Sequence, residues 1–251
     1  MGNPPVLTSG RCCAHACATP DEVDAARAEL ATLLKVRDAA RVLAAARTAP
    51  KALLSARATR LSRQGAPAAR AAWLRGELAS NHAGETGAVQ IYAGAASALA
   101  LRRSLQLDGS AGVTAAAFVA RHRLSEEAHL ALFDALLPAH AGGRSALLPA
   151  WRVAGYALGF APVVAGGPPA LYATVAAVET FVVQHYTAQI GPLREAGDAP
   201  VLATLLARCC ADEAQHRDEA AALEPPSRTQ RAWAAFVAAG SAAAVSLARR
   251  V

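Results

Sequence analysis

Two tetrapeptides, Glu126-Glu127-Ala128-His129 and Glu213-Ala214-Gln215-His216, constrain this chain more than any other feature. Residues i and i+3 share one face of a helix, so each pair can present a carboxylate and an imidazole to a single point. One such pair arises readily by chance as a solvated or ion-paired surface. Here each pair also has a further acid at hairpin distance. Glu85 lies 41 positions before Glu126 with Asp108-Gly109-Ser110 between them, and Glu179 lies 34 positions before Glu213 with Gly197-Asp198-Ala199-Pro200 between them. At about 1.5 Å of rise per residue, folding at those turns brings the first pair of acids within about two turns of each other and the second pair level. The unit Glu, hairpin, Glu-x-x-His thus occurs twice, the arrangement that a two-metal four-helix bundle requires.

The expected ligands are Glu85, Glu126, His129, Glu179, Glu213 and His216. Four carboxylates balance the charge of two divalent ions, whereas the same acids buried without metal would repel one another. Oxygen and nitrogen donors without cysteine suit non-haem iron or manganese better than structural zinc. Glu126 and Glu213 are expected to bridge the ions, with Glu85 and Glu179 terminal. Tyr92 and Tyr186 each follow an acid by seven residues and lie two turns along the same face. Either could hydrogen-bond a ligand or touch substrate, with aromatic filling of the core the plainer reading for Tyr92. His82, one turn before Glu85, and His185 are candidates for orienting a ligand or a substrate oxygen.

The rest of the chain favours an all-α fold. Apolar residues make up 54% of it, supplied mainly by alanine and leucine, while aromatics are only 5%. Periodicity and turn residues predict helices near 71–104, 113–137, 146–164, 167–191, 199–222 and 228–250. The stretch 146–178 is apolar enough to test as a membrane span, but Arg152 and four prolines (Pro149, Pro162, Pro168 and Pro169) divide it. Two short helices lying on or dipping into a bilayer fit better, with Trp151 and Tyr156 at the interface; a buried core helix is the alternative. The last helix sets Trp233 and Phe236 against Arg249 and Arg250 and could lie on the membrane too.

Residues 1–70 read separately, as a leader, a targeting segment or a disordered basic arm. From Ala39 to Gly76 there is no acid, while Arg41, Arg47, Lys51, Arg57, Arg60, Arg63, Arg70 and Arg75 are spread among alanines. Because much of the net charge of +6 sits there, the basic balance does not point to a nucleic-acid partner. The five cysteines form no disulfide framework: Cys12, Cys13 and Cys17 lack zinc spacing, and Cys209 and Cys210 read as small buried residues.

The motifs around these residues resemble the 5-demethoxyubiquinone hydroxylase family of ubiquinone biosynthesis. Asn81-His82-Ala83-Gly84-Glu85-Thr86-Gly87-Ala88 with Ile91-Tyr92-Ala93-Gly94 is similar to the family's first-helix signature, and Glu126 to Leu130 to its first Glu-x-x-His-Leu. Leu148-Pro149-Ala150-Trp151 with Gly155 and Gly159, then Glu179 with His185, Tyr186 and Gln189, then Asp212-Glu213 with His216 and Asp218, continue the likeness from about residue 75 to 251. Thr86 stands where the family commonly has an aromatic, and Asn81 where it has an acid. The resemblance implies a ferritin-like four-helix bundle with two added membrane-associating helices. It implies two ferrous ions, with O₂ and a reductant such as NADH as co-substrates, and hydroxylation at ring C6 of a polyprenylated methoxy-benzoquinol. It also implies peripheral attachment to the matrix side of the mitochondrial inner membrane, or to the cytoplasmic face of a bacterial plasma membrane, beside a lipid-presenting partner and other ubiquinone-synthesis proteins. A homo-oligomer is left open. Two rivals share the motif: an iron-storing ferritin-like protein, which the apolar third and sixth segments disfavour, and a lipid-binding scaffold without catalysis, which would not need six ligands.

Overall fold

A computed structural model describes residues 67–139, 143–197, 199–224 and 227–250. The expected leader or basic arm lies outside these, apart from its last residues, which begin the first helix. Among the described residues the structure is all helical: α1 (Pro67–Ser104), α2 (Gly109–Ala139), α3 (Leu148–Ala196), α4 (Pro200–Leu223) and α5 (Arg228–Ala248). Helices α1, α2, the second half of α3 and α4 form the bundle. The first half of α3 runs along α1, and α5 lies against α3 and α1.

The helix ends follow from local chemistry. Proline stands in the first turn of α3 and α4, where its missing N–H costs nothing. Gly197 ends α3 in the left-handed region at φ 58° and returns its N–H to the carbonyls of Leu193 and Arg194. Ser227 and Gln230 cap α5 reciprocally.

The two helices expected at 146–164 and 167–191 are present as the two halves of α3, parted by non-helical backbone at Gly167, and the second runs on to Ala196. Pro168 has no N–H to give the carbonyl four residues back, Val164 O, and the Arg102 guanidinium supplies that bond from α1 at 2.7 Å. Arg102 is itself held by both oxygens of Asp108 at 2.7 Å, which ties the α1–α2 turn to the bend. Gly167 adopts φ 63°, ψ −152°, a conformation open essentially to glycine alone, and a Cβ there would meet Arg102 and Asp108. Gly167→Ala should therefore cost about 1–3 kcal/mol, read as a drop in melting temperature of roughly 2–4 °C per kcal/mol. An unchanged melt would show that the bend is not strained by a side chain.

The two halves of α3 differ in what they touch. In the first half, Gly155 and Gly159 lie directly on the carbonyl oxygens of Gly87 and Ile91 of α1, and Gly94 of α1 lies on the backbone at Tyr156 and Phe160. A Cβ at any of the three would collide with backbone, so these glycines set how closely α1 and α3 cross. The second half of α3 carries Glu179 into the bundle between two apolar layers. One is built on Leu78, Phe133, Tyr186, Ile190 and Leu206, the other on Tyr92, Phe118, Leu171, Tyr172 and Val175.

By length and composition α3 and α5 could each cross a membrane, but the apolar stretch of α3 is half buried whereas only 11% of that of α5 is. Beyond its first turn, which carries the exposed Arg228 and Arg231, the outer face of α5, including Ala235, Phe236, Ala239, Ala243 and Leu247, is exposed and uncharged. Two contacts tie α5 to the rest of the fold. The Trp233 indole faces inward and donates to Thr174 Oγ1 at 3.0 Å, and Arg249 binds Glu77 at 2.9 Å, tying the end of α5 to α1.

Candidate metal centre

Glu85 comes from α1, Glu126 and His129 from α2, Glu179 from α3, and Glu213 and His216 from α4. All six are buried, each at most 6% exposed. The hairpins close as their spacing predicts, and the six side chains meet in two groups. Glu85, Glu126, His129 and Glu213 have ligand atoms within 4.8 Å of one another, as do Glu126, Glu179, Glu213 and His216. Glu126 and Glu213 belong to both groups. His129 Nδ1 lies 2.8 Å from Glu213 Oε1 and 3.8 Å from Glu85 Oε2, and His216 Nδ1 lies 3.0 Å from both Glu126 Oε1 and Glu213 Oε2.

These contacts are short, yet Glu85 Oε2, Glu126 Oε1, Glu213 Oε1 and His129 Nδ1 make no properly aligned hydrogen bond. Buried polar atoms left in this way are costly, and four at one level is unusual for a native core. Their lone pairs converge on shared points, as donors to a cation would. The residues present therefore fit a metal in each group, with Glu126 and Glu213 shared between the two.

Electrostatics points the same way. Burial pushes the Glu85 and Glu179 carboxyls well above the usual carboxylate range, and the neighbouring acids add to it; Glu126 is raised for the same reasons. For Glu213 burial is overcome by the His129 and His216 imidazoles, which bring it down to about 2. Burial opposes protonation of the two histidines, but the facing acids hold His129 well above 6.5 and His216 at about 9. Without metal the cluster offsets the charge of its acids by taking up protons.

The tyrosines cross over. Tyr92 on α1 donates to Glu179 on α3 at 3.4 Å, and Tyr186 on α3 donates to Glu85 on α1. Each is 1% exposed, so each fills the core and hydrogen-bonds a buried acid at the same time. Burial and the adjacent acids raise both phenols well above 10, which keeps them donors.

His82 does not reach Glu85. Its Nε2 lies 3.0 Å from Asp134 of α2, which Arg144 also binds. His185 bonds Ser80 Oγ at 3.2 Å and Gln189 at 3.0 Å, and burial, with Arg249 nearby, lowers it to about 4. Asn81 pairs reciprocally with Gln189 at 2.8 and 2.9 Å, an amide clasp between α1 and α3. Cys209 is buried and its thiol is pushed up to about 12, so it behaves as a small apolar residue.

Sequence reading gave no role to three residues that lie around His129 and His216, Asp212 among them although it belongs to the Asp212-Glu213 motif. Asp212 Oδ2 lies 3.3 Å from the outer nitrogen of His129 and is itself held by Arg208 at 3.0 Å. An acid adjoining a Glu-x-x-His glutamate is a usable signal for this role. His122 and Glu219, 3.0 Å apart, flank His216 and left no such signal.

A cavity of about 470 Å³ runs from Glu85, Glu126, Glu179 and Glu213 outward between α1, α3 and α5. Ile91, Leu158, Val178, Phe236, Val237 and Val245 make its walls apolar, with Ser80, Asn81 and His185 as polar points.

Residues 72–248 match the model of the family described as ubiquinone biosynthesis protein COQ7. The chain is 36% identical over 142 residues to a 3-demethoxyubiquinol 3-hydroxylase of Rhodospirillum rubrum, covering 56% of this chain and 60% of the relative. It is 32% identical over 137 residues to a mitochondrial NADPH-dependent 3-demethoxyubiquinone 3-hydroxylase of Dictyostelium discoideum, covering 54% and 58%. With the enzyme of that name from Caenorhabditis elegans identity is 28% over 191 residues, covering 73% and 94%. The chain thus spans about three fifths of the length of the first two relatives.

Proposed function

The chain belongs to the COQ7 family of ubiquinone biosynthesis proteins, and from that premise we propose that it is a di-iron monooxygenase that hydroxylates a polyprenylated demethoxyubiquinol, using O₂ and a nicotinamide reductant. The observation that carries this reading is the convergence of four buried acids and two imidazoles at the inner end of an apolar cavity. A ring carried on a prenyl tail suits that shape, because the apolar walls accept the tail while the polar points meet the ring oxygens. The ring position is the one that the relatives' names number 3 and that the quinone numbering used above counts as C6.

Glu85, Glu126, His129 and Glu213 would hold one ion, and Glu126, Glu179, Glu213 and His216 the other. Bound there, the pair of ions would supply the redox chemistry that activates O₂. The protein's own part is geometric. Tyr92 and Tyr186 orient the terminal acids Glu179 and Glu85, Asp212 fixes the His129 ring, and the two apolar layers keep bulk water from the acids. His185, lowered to about 4, is neutral at pH 7 and can exchange a hydrogen bond with a ring oxygen. The uncharged outer face of α5, with exposed Val153 and Tyr156 of α3, would rest on a membrane and admit the tail between α3 and α5.

The test is turnover of the iron-loaded protein with demethoxyubiquinol, NADPH or NADH, and isotopically labelled O₂. One labelled oxygen should enter the ring. Iron uptake without ring oxidation would favour the storage reading, and intact quinol binding without turnover the scaffold.

A further inference from the structure

The two histidines of the centre are supported differently. Behind His129 stands the Asp212 carboxylate, with Arg208 holding it. Behind His216 stands another imidazole. The His122 and His216 rings lie 4.2 Å apart between centroids, inclined at 66°, so that one presents its edge to the other. His122 is 3% exposed, and its other side meets Phe118 at 4.2 Å and 61°. Its Nε2 is 3.0 Å from Glu219 Oε2, and Arg121 binds the second oxygen of Glu219. Helix α2 therefore supplies Arg121 and His122, and α4 supplies Glu219 one turn beyond His216.

We propose that His122, anchored by Glu219, is a positioning residue for the ion held by Glu126, Glu179, Glu213 and His216, and that it acts by locking the ring orientation of His216. The inference rests on the metal reading above. The last torsion of a histidine has broad, nearly two-fold minima, and a half-turn of the His216 ring would replace Nδ1 by a carbon opposite Glu126 and Glu213. Hydrogen bonds made by the opposite nitrogen usually prevent that. At His216 the edge-to-face contact with His122 holds the plane of the ring instead, and with it the line along which Nδ1 faces the acids. His122 is held in turn by the Glu219 bond and by Phe118. Because Asp212 serves only His129, the two supports are separable, and loss of the His122 support should be felt by one ion only.

The experiment is an anaerobic equilibrium titration of the metal-free full chain with Co(II), read by its visible absorption, for the wild type, His122→Phe, Glu219→Ala, the double variant and Asp212→Asn. Phenylalanine fills the same space but lacks the bond to Glu219 that holds the ring edge-on to His216. Wild type should take up two equivalents. In His122→Phe and Glu219→Ala one equivalent should weaken about 10–100-fold while the other keeps its affinity and its spectrum. The double variant should be no worse than His122→Phe, since Glu219 acts through His122. Asp212→Asn should weaken the other equivalent. Wild-type binding of both ions by His122→Phe and Glu219→Ala, or equal weakening of both ions, would overturn the proposal. Should His122→Phe melt at a much lower temperature without metal, Glu219→Ala, whose side chain is 31% exposed, decides it. A wild-type chain that binds no Co(II) would overturn the metal reading itself, and this inference with it.

Discussion

Glu213→Ala should leave a folded chain that retains neither ion and forms no hydroxylated quinol. Glu213 belongs to both ligand groups and faces both imidazoles, so its loss opens both sites at once. Glu126→Ala should behave alike. Glu85→Ala and Glu179→Ala each remove a ligand from one group only, and they should keep about one equivalent of metal while losing turnover. The stability readout separates a ligand from a core residue. With free metal at a hundredfold its dissociation constant, each ion bound adds about 2.7 kcal/mol to the wild type, or roughly 5–11 °C of melting temperature per ion. Glu213→Ala should show none of that increment. Its metal-free form should itself melt below wild type, because Glu213 is the acid that the His129 and His216 imidazoles hold ionised and its loss takes a buried partner from both. Retention of two equivalents by Glu213→Ala would exclude the bridging assignment.

The stabilisation conferred by metal should also grow steeply with pH. In the metal-free chain Glu85, Glu126 and Glu179 are held above the usual carboxylate range by burial and by one another, and His129 and His216 above 6.5 by the facing acids. A group raised by folding contributes stability that is complete below its unfolded value and is lost as pH rises through the folded value. For His216 that loss runs from 6.5 to about 9. Metal displaces these protons, so its affinity rises about tenfold per pH unit for each proton released. Glu213, already ionised above about 2, releases none at neutral pH. His122 and His185, lowered to about 4, act with the opposite sign: their contribution is present above 6.5 and lost as pH falls through about 4. They contribute similarly with and without metal and largely cancel in the difference. Melting with and without Fe(II), anaerobically, at about pH 6 and about pH 8 should give the larger increment at the higher pH. An increment that does not change with pH would mean that the six groups do not give up protons to the ions.

The six candidate ligands were legible because helical periodicity and turn chemistry are both local. Glu126 and His129 share a face whatever surrounds them, and the turns at Asp108 and Gly197 set which residues meet across each hairpin. The family likeness pointed to the same residues and added Gly94, Gly155 and Gly159, whose purpose became visible only in the contact between α1 and α3. Other parts were illegible for a definite reason. The Gly-Gly-Pro-Pro run reads as a break between two helices, and the backbone does break there at Gly167; what the run does not show is that Arg102, some sixty positions earlier, satisfies the Val164 carbonyl that Pro168 leaves free.

The order of helices, their faces and the meeting of four acids with two histidines follow from the sequence alone, since each depends on spacing within one helix or one hairpin. Contacts between the halves were decided by tertiary structure: the crossing of Tyr92 to Glu179 and of Tyr186 to Glu85, the turning of Trp233 inward to Thr174, and the placing of His122 behind His216. Such contacts depend on the rotation and height of one helix against another. Those are set by close packing of many side chains at once, and no local pattern in the chain encodes them.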